Sequence, residues 1–384
     1  MKLSASLLTV SCLLFCTQAR SQSLVYSLTY VETRASFQAH FANVSPFPGR
    51  RSDDENLSML RGTRKTEIYS LSLADGKRTL LFSDEGPHLQ IMATGTVVSD
   101  GKAYFAGFWR ERHTIPTPVV TSDEAIYEIS LDGSNHFRKI ADAQPNQPPV
   151  ILNPQSTRAA FEMFKDGKFV VSIYALPEWK LLHIWDLAKL MQSHCPACNP
   201  LSYGWLADGK HLYIELALAG EEEGDLASAN TPGTYLLSED GTDLRSVSPQ
   251  TGALQLPGYI QPKFIDRHFL GQLPDGSDLF QDYAVPKGGP FWNPKPFLIV
   301  AKPGSDSQKQ FPLKFAIGRG FPSPSGKYLA YIEDRQTPSR TELHLWVKDL
   351  ESGAEKELFA APPPNPPASP EPNLILSILG WINN

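Results

Sequence analysis

Short apolar runs broken by Asp-Gly and Ser-Gly pairs fill the chain from Ser23 onward. In Ile68-Tyr69-Ser70-Leu71-Ser72-Leu73 and in Ile126-Tyr127-Glu128-Ile129-Ser130-Leu131, an apolar side chain returns at every second position. That period places alternate side chains on opposite faces of an extended strand, one face buried and the other wet. The 3.6-residue period of long amphipathic helices is scarce. The pattern therefore predicts many short strands joined by tight turns.

Two kinds of turn alternate along the chain. The first precedes an alternating strand, as in Ser99-Asp100-Gly101-Lys102 before Ala103-Tyr104-Phe105, Ala207-Asp208-Gly209-Lys210 before Leu212-Tyr213-Ile214, and Pro324-Ser325-Gly326-Lys327 before Tyr328 to Tyr331. Weaker copies stand at Pro154 to Thr157 and Pro274 to Ser277, which makes five. The second kind follows a strand and precedes a short basic one: Asp75-Gly76, Asp132-Gly133, Pro177-Glu178, Asp240-Gly241, Pro303-Gly304 and Ser352-Gly353, which makes six. Asp-Gly suits a tight hairpin because glycine takes positive φ at no steric cost. The unit is a four-stranded meander, with strands A to D running outward, the first turn joining A to B and the second joining C to D. The second turn recurs at roughly 45 to 63 residues, near the period of propeller blades with added loops.

The mismatch between six turns and five predicts how the ring closes. Ser23 to Tyr30 reads as a strand B without its A, and Leu374 to Ile382 reads as a strand A without its B, echoing Tyr203-Gly204-Trp205-Leu206 in its Gly380-Trp381. Pairing the two completes a sixth blade and leaves no open sheet edge. The fold class is all-β, a six-bladed β-propeller of four-stranded antiparallel blades closed by its N- and C-terminal strands. The Pro-rich run 361–372 serves as a stiff connector to the closing strand.

Phe321-Pro322-Ser323-Pro324-Ser325-Gly326-Lys327-Tyr328-Leu329-Ala330-Tyr331, followed by Glu342 to Val347 and Asp349 to Gly353, resembles the WD40-like repeat of TolB-type propellers, as does Gly204 to Lys210. The resemblance implies fold far more than function. The α/β domain that precedes the propeller in that family is not seen, which puts a Tol-system role in doubt. The chain contains no Gly-x-Ser-x-Gly, which speaks against the serine peptidases that carry a related propeller.

Composition and charge narrow the partners. The chain has 384 residues with 33 prolines and a formal net charge of −6. No dense basic footprint is present, so nucleic acid and a membrane surface are not expected partners. Met1-Lys2, the uncharged run Leu3 to Phe15 and the small residues near Ala19 read as a signal peptide over residues 1–22. It is too short to remain as a span. Cys12 and Cys16 lack the approach that lipidation requires. Residues 23–384 then form a single propeller domain, periplasmic or secreted.

Blade topology puts the B-to-C and D-to-A connections on one face, where the long segments fall: 37–65, 108–123, 219–232, 286–296 and 334–340. Loops on a rigid scaffold are the usual seat of binding residues. Trp109, Arg110, Arg112 and His113 form the densest mixture of aromatic, cationic and titratable residues there, suited to a carboxylate, a sugar or an acidic partner. Trp292 beside Gly288-Gly289-Pro290 offers a stacking platform, and Asp334 and Arg335 complete the candidate set. Cys195 and Cys198, separated by two residues and the only cysteines after the leader, are expected as a structural disulfide in an oxidising compartment. Redox activity or metal binding by the pair stands as the alternative.

No catalytic constellation emerges from spacing and no cofactor is implied, although a divalent cation in the channel remains open. The leading expectation is a non-catalytic binding or scaffolding module of the cell envelope, engaging a protein or polysaccharide through the long-loop face. The alternative is a carbohydrate lyase or hydrolase with its site over the channel.

Overall fold

The computed structural model describes residues 22–31, 63–85, 89–91, 96–97, 101–112, 120–142, 150–165, 168–196, 198–218, 233–247, 258–260, 268–289, 294–302, 308–318, 320–336, 341–360 and 373–383. The segment read as a leader, apart from Gln22, and the Pro-rich run 361–372 lie outside them.

Six antiparallel sheets form the six blades of a β-propeller. Blade one uses β1 (Gln22–Val31), β2 (Thr63–Ser72) and β3 (Arg78–Glu85). Blade two has a split inner strand, β4 (Leu89–Ile91) and β5 (Thr96–Val97), followed by β6 (Lys102–Arg112), β7 (Val120–Ser130) and β8 (Phe137–Asp142). Blade three comprises β9 (Ile151–Leu152), β10 (Arg158–Lys165), β11 (Lys168–Ala175) and β12 (Lys180–Asp186), and the helix α1 (Leu187–His194) leads out of it. Blade four comprises β13 (Cys198–Trp205), β14 (His211–Leu218), β15 (Gly233–Ser238) and β16 (Leu244–Val247). Blade five has β17 (Tyr259–Ile260) and β18 (His268–Gln272) inside, then β19 (Asp278–Pro286), β20 (Lys295–Ala301) and β21 (Gln308–Pro312). Blade six comprises β22 (Phe321–Pro322), β23 (Tyr328–Gln336), β24 (Thr341–Asp349) and β25 (Glu355–Ala360).

The last strand, β26 (Asn373–Asn383), returns to blade one, whose order is β26-β1-β2-β3. It pairs antiparallel with β1, Leu24 opposite Trp381 and Leu28 opposite Leu376. The inferred closure is therefore the observed one. Inner strands of successive blades meet around the ring, β26 with β5, β5 with β9, β9 with β13 and β13 with β18. Strand A is innermost, as the turn order requires.

The buried apolar residues described fall into six clusters, one in each seam between blades. Within β1, Leu24, Tyr26 and Leu28 pack toward blade six while Val25 packs toward blade two. A blade pressed between two others has no wet face, so Ser23 to Thr29 are all buried. Outer strands escape this: β12, β21 and β25 are mostly half-buried or exposed, which explains their polar sequences. At about 25 cal/mol per Å² of apolar surface removed from water, these seams supply most of the folding free energy.

Side-chain hydrogen bonds stitch one blade to the next. Trp205 Nε1 donates to the Ile151 carbonyl at 3.2 Å, and Trp381 Nε1 to the Phe321 carbonyl at 2.9 Å. The repeated Gly-Trp pair is thus a tie from one inner strand to that of the preceding blade. Asn153 Nδ2 donates to the Gly209 carbonyl at 3.0 Å, and the backbone N–H of Ala207 donates to Gln272 at 3.0 Å. Gly209 serves two needs at once. Its φ is +67°, and an added Cβ would run into the Gln155 side chain. At the closing seam, the Arg78 guanidinium stacks 4.4 Å from the Tyr69 ring and 4.6 Å from the Phe359 ring, joining blades one and six.

The turn chemistry has a pH signature. Hydroxyl donors from Ser72, Ser134 and Thr242, with backbone N–H groups two residues on, hold Asp75, Asp132 and Asp240 below the usual carboxylate range. Asp240, which also accepts from Ser238, falls from 3.8 to about 2. A carboxylate depressed in the folded state stabilises it fully above the unfolded value, and that contribution disappears as pH falls through the folded one. We predict that the urea midpoint declines between pH 3.8 and about 2. In Asp240→Asn part of that slope should vanish; identical slopes would show that the turn carboxylate is not linked to folding.

Candidate functional site

On the long-loop face the structure corrects one reading of the sequence. Trp109 to Arg112 belong to a strand, not a loop: Arg110 pairs with Ser122, Glu111 with Thr121 and Arg112 with Val120. Among the described residues, the inner neighbour β4 pairs with β6 as far as Trp109, and the outer neighbour β8 pairs with β7 as far as Ala125. Three residue pairs thus run on as a two-stranded arm, about 10 Å at a rise of roughly 3.4 Å per residue. Charged residues suggested a loop because a strand buried in a blade does not tolerate them. The neighbouring long segments shrink likewise, since 63–65, 120–123, 295–296 and 334–336 are also strand. For Trp109, Arg110 and Arg112 the backbone alone is described, and His113 and Trp292 lie outside the described residues.

Asp334 and Arg335 sit on β23, opposite Leu343 and Glu342 of β24. Arg335 is committed within its own blade. Its Nε donates to Glu333 Oε1 at 3.2 Å and its Nη2 to Glu333 Oε2 at 2.9 Å, while Trp346 Nε1 donates to the same carboxylate at 3.0 Å. The Glu333 carboxylate pushes the guanidinium pKa up, which fixes its charge. Beside them, buried His344 faces Glu357 at 3.0 Å through Nδ1 and Glu342 at 3.5 Å through Nε2. Asp334 and Arg335 are both exposed.

At the other end of the same strands lies a feature that sequence reading missed. Lys348, 1% exposed, donates from Nζ to the Pro312 carbonyl of blade five at 3.1 Å and to Glu355 Oε1 at 3.1 Å. Tyr331 adds its hydroxyl to the same oxygen at 2.9 Å. Burial first, then the Glu355 charge, raises the Tyr331 pKa, so it stays a neutral donor. A buried cation is tolerable only with partners of this kind.

Cys195 and Cys198 are joined as a disulfide just beyond α1. Asp186 caps that helix, accepting the Lys189 N–H at 3.0 Å. Both cysteines are buried, at 0% and 4% exposure, against Leu187, Leu190 and Trp205 in the seam between blades three and four. A redox-active pair needs an accessible sulfur, and this pair is part of a core. Among the described residues, no group of three or more His, Cys, Asp and Glu is placed to hold a metal ion. No described helix is long and apolar enough to cross a membrane.

No protein-family model matches the chain. No curated protein sequence matches it either. Among solved structures, TolB from Acinetobacter baumannii is similar with a TM-score of 0.42 and 12% identity, over 77% of this chain and 65% of that one. The chain thus spans less than two thirds of that protein's length. Oligogalacturonate lyase from Vibrio parahaemolyticus is similar at 0.40 and 12%, over 76% and 70% of the two chains. A chain of a nidogen/laminin complex is similar at 0.45 and 12%, over 93% and 97%. With scores this low, the propeller fold of this chain rests on its own strand order and its six seams.

Proposed function

We propose that the chain is an exported, non-catalytic propeller that holds a protein or an envelope polymer against its long-loop face. The carrying observation is the β6–β7 arm, which runs three residue pairs past the described pairing of its neighbours on that face, with Arg110 and Arg112 among those pairs. Arginine is the cation best suited to carboxylates, and a strand pair can add backbone donors and acceptors to that charge. Connections on this face are long, 32–62 between β1 and β2 and 219–232 between β14 and β15, whereas the opposite face carries tight Asp-capped turns. Export is supported by the leader-like segment and by the disulfide, which persists in an oxidising compartment.

The test compares wild type with Arg110→Ala/Arg112→Ala. Both proteins are immobilised, exposed to envelope extract and to acidic oligosaccharides, and the affinity for whatever the wild type retains is measured. A loss of affinity on the order of tenfold or more is expected, the size of two charged contacts, with the melting midpoint unchanged because the arm lies beyond the core. Unchanged affinity would refute the assignment of the arm. Chain cleavage of an acidic oligosaccharide by the wild type would favour the lyase or hydrolase reading instead.

A further inference from the structure

The seam that closes the ring also holds an aromatic cage. Tyr26 of β1 and Tyr69 of β2 stack with ring centroids 5.7 Å apart, and Phe359 of β25 leans against Tyr26 at 5.7 Å from the neighbouring blade. The guanidinium of Arg78, the first residue of β3, lies over all three rings, 4.4 Å from the Tyr69 centroid, 4.6 Å from Phe359 and 5.6 Å from Tyr26. Tyr26 is buried, Tyr69 and Phe359 are half-buried and Arg78 is exposed, so the rings form a recess and the arginine its lid. Among the described residues no carboxylate forms an ion pair with Arg78, and Glu67, which bears on Tyr69, is paired with Lys65 at 2.7 Å. Burial pushes the Tyr69 pKa up to about 12 and raises that of Tyr26 as well. Both are neutral phenols, which attract a cation through the ring face rather than through phenolate charge.

Such a recess is selective. Ring faces within about 6 Å of a cation attract it, but they do not replace the water that a primary ammonium must shed. A guanidinium is weakly hydrated and flat enough to stack. Arg78 shows that the group fits, and it is held by ring faces from an exposed position on an outer strand. We infer that the seam between blades one and six carries a binding site for a guanidinium group, closed in the free chain by its own Arg78. A tethered side chain competes at an effective concentration of about millimolar or more, so an arginine of a protein partner gains the cage only by displacing Arg78. Phe359 belongs to blade six and both tyrosines to blade one, so whichever cation fills the cage also ties those blades together. The cage is separate from the β6–β7 arm, and the inference stands or falls apart from the function proposed for that arm.

The probe is methylguanidinium, titrated against the full chain and followed by the NMR signal of its methyl group, with methylurea as the neutral analogue of the same shape. Arg78→Ala should bind methylguanidinium saturably, with the upfield methyl shift that ring faces impose, and more tightly than wild type by roughly tenfold or more. Arg78→Gln, which keeps the stem against the rings and drops the charge, should gain affinity in the same direction, and it carries the test if the alanine variant does not fold. Adding Phe359→Leu to either variant should remove most of the gain. Methylguanidinium should also raise the melting midpoint of Arg78→Ala, whereas methylurea should not. The inference is overturned if neither Arg78 variant binds more tightly than wild type, if methylurea binds as well as methylguanidinium, or if Phe359→Leu leaves the gain intact.

Discussion

Removal of Asn373–Asn383 is expected to abolish cooperative folding, because blade one would lose its inner strand and the ring would open. β26 contributes Leu376, Ile378, Leu379 and Trp381, none more than 8% exposed. Leu376, Ile378 and Trp381 pack in the seam with blade six, and Leu379 in the seam with blade two. Truncating one such side chain typically costs about 2–5 kcal/mol. Four together exceed most or all of the roughly 5–15 kcal/mol by which a folded domain outlasts its unfolded chain. The loss also bares β1 as a long apolar edge, the kind of strand that pairs with other chains. Circular dichroism melting and gel filtration check this: a broad, non-cooperative transition with soluble aggregates is expected. A monomer melting within a few degrees of wild type would show that closure by β26 is dispensable.

The other large effect is expected at Lys348. Lys348→Met should destabilise the propeller by about 3–5 kcal/mol, since it leaves the Glu355 carboxylate without its closest cation in a nearly buried position. Lys314, 3.9 Å from Glu355 and well exposed, is too screened to replace it. Adding Glu355→Gln to Lys348→Met removes the orphaned charge while keeping an acceptor for the Tyr331 hydroxyl. That double variant should recover at least half of the loss in urea unfolding. Equal stability of the single and double variants would show that the cost lies in the bond to the Pro312 carbonyl rather than in the stranded charge.

These two positions differ in how visible they were beforehand. The role of β26 could be read from the echo between Gly380-Trp381 and Gly204-Trp205 together with the missing partner of Ser23 to Tyr30. Lys348 could not. In Leu343-His344-Leu345-Trp346-Val347-Lys348 the alternation assigns His344, Trp346 and Lys348 to the wet side of a strand. Blade five covers that side, so the nominally polar face became an internal seam with its own hydrogen-bond network. Likewise Arg335 was legible as a charged residue near a strand end, but its bidentate bond to Glu333 depends on side-chain direction along β23. The arm bearing Arg110 and Arg112 was legible as chemistry and misread as a loop, because the pairing of 110–112 with 120–122 is a cross-strand register that charged residues do not announce.

The chain by itself determined the blade count, the strand order within each blade, the turn positions and the head-to-tail closure. All of these follow from two-residue alternation and from glycines that alone accept positive φ cheaply. It also marked Cys195 and Cys198 as partners, since few alternatives exist for two cysteines so close. Only the tertiary structure decided which charges are spent inside the molecule and which remain on offer. Arg335, His344 and Lys348 are spent, whereas Lys302 and Lys309 on the turn face are exposed with no ion-pair partner among the described residues. The reason is physical: the ionic partners lie within the same blade, Glu333 for Arg335, Glu357 for His344 and Glu355 for Lys348, and cross-strand register and side-chain direction decide which of them meet, with blade five adding the Pro312 carbonyl to Lys348.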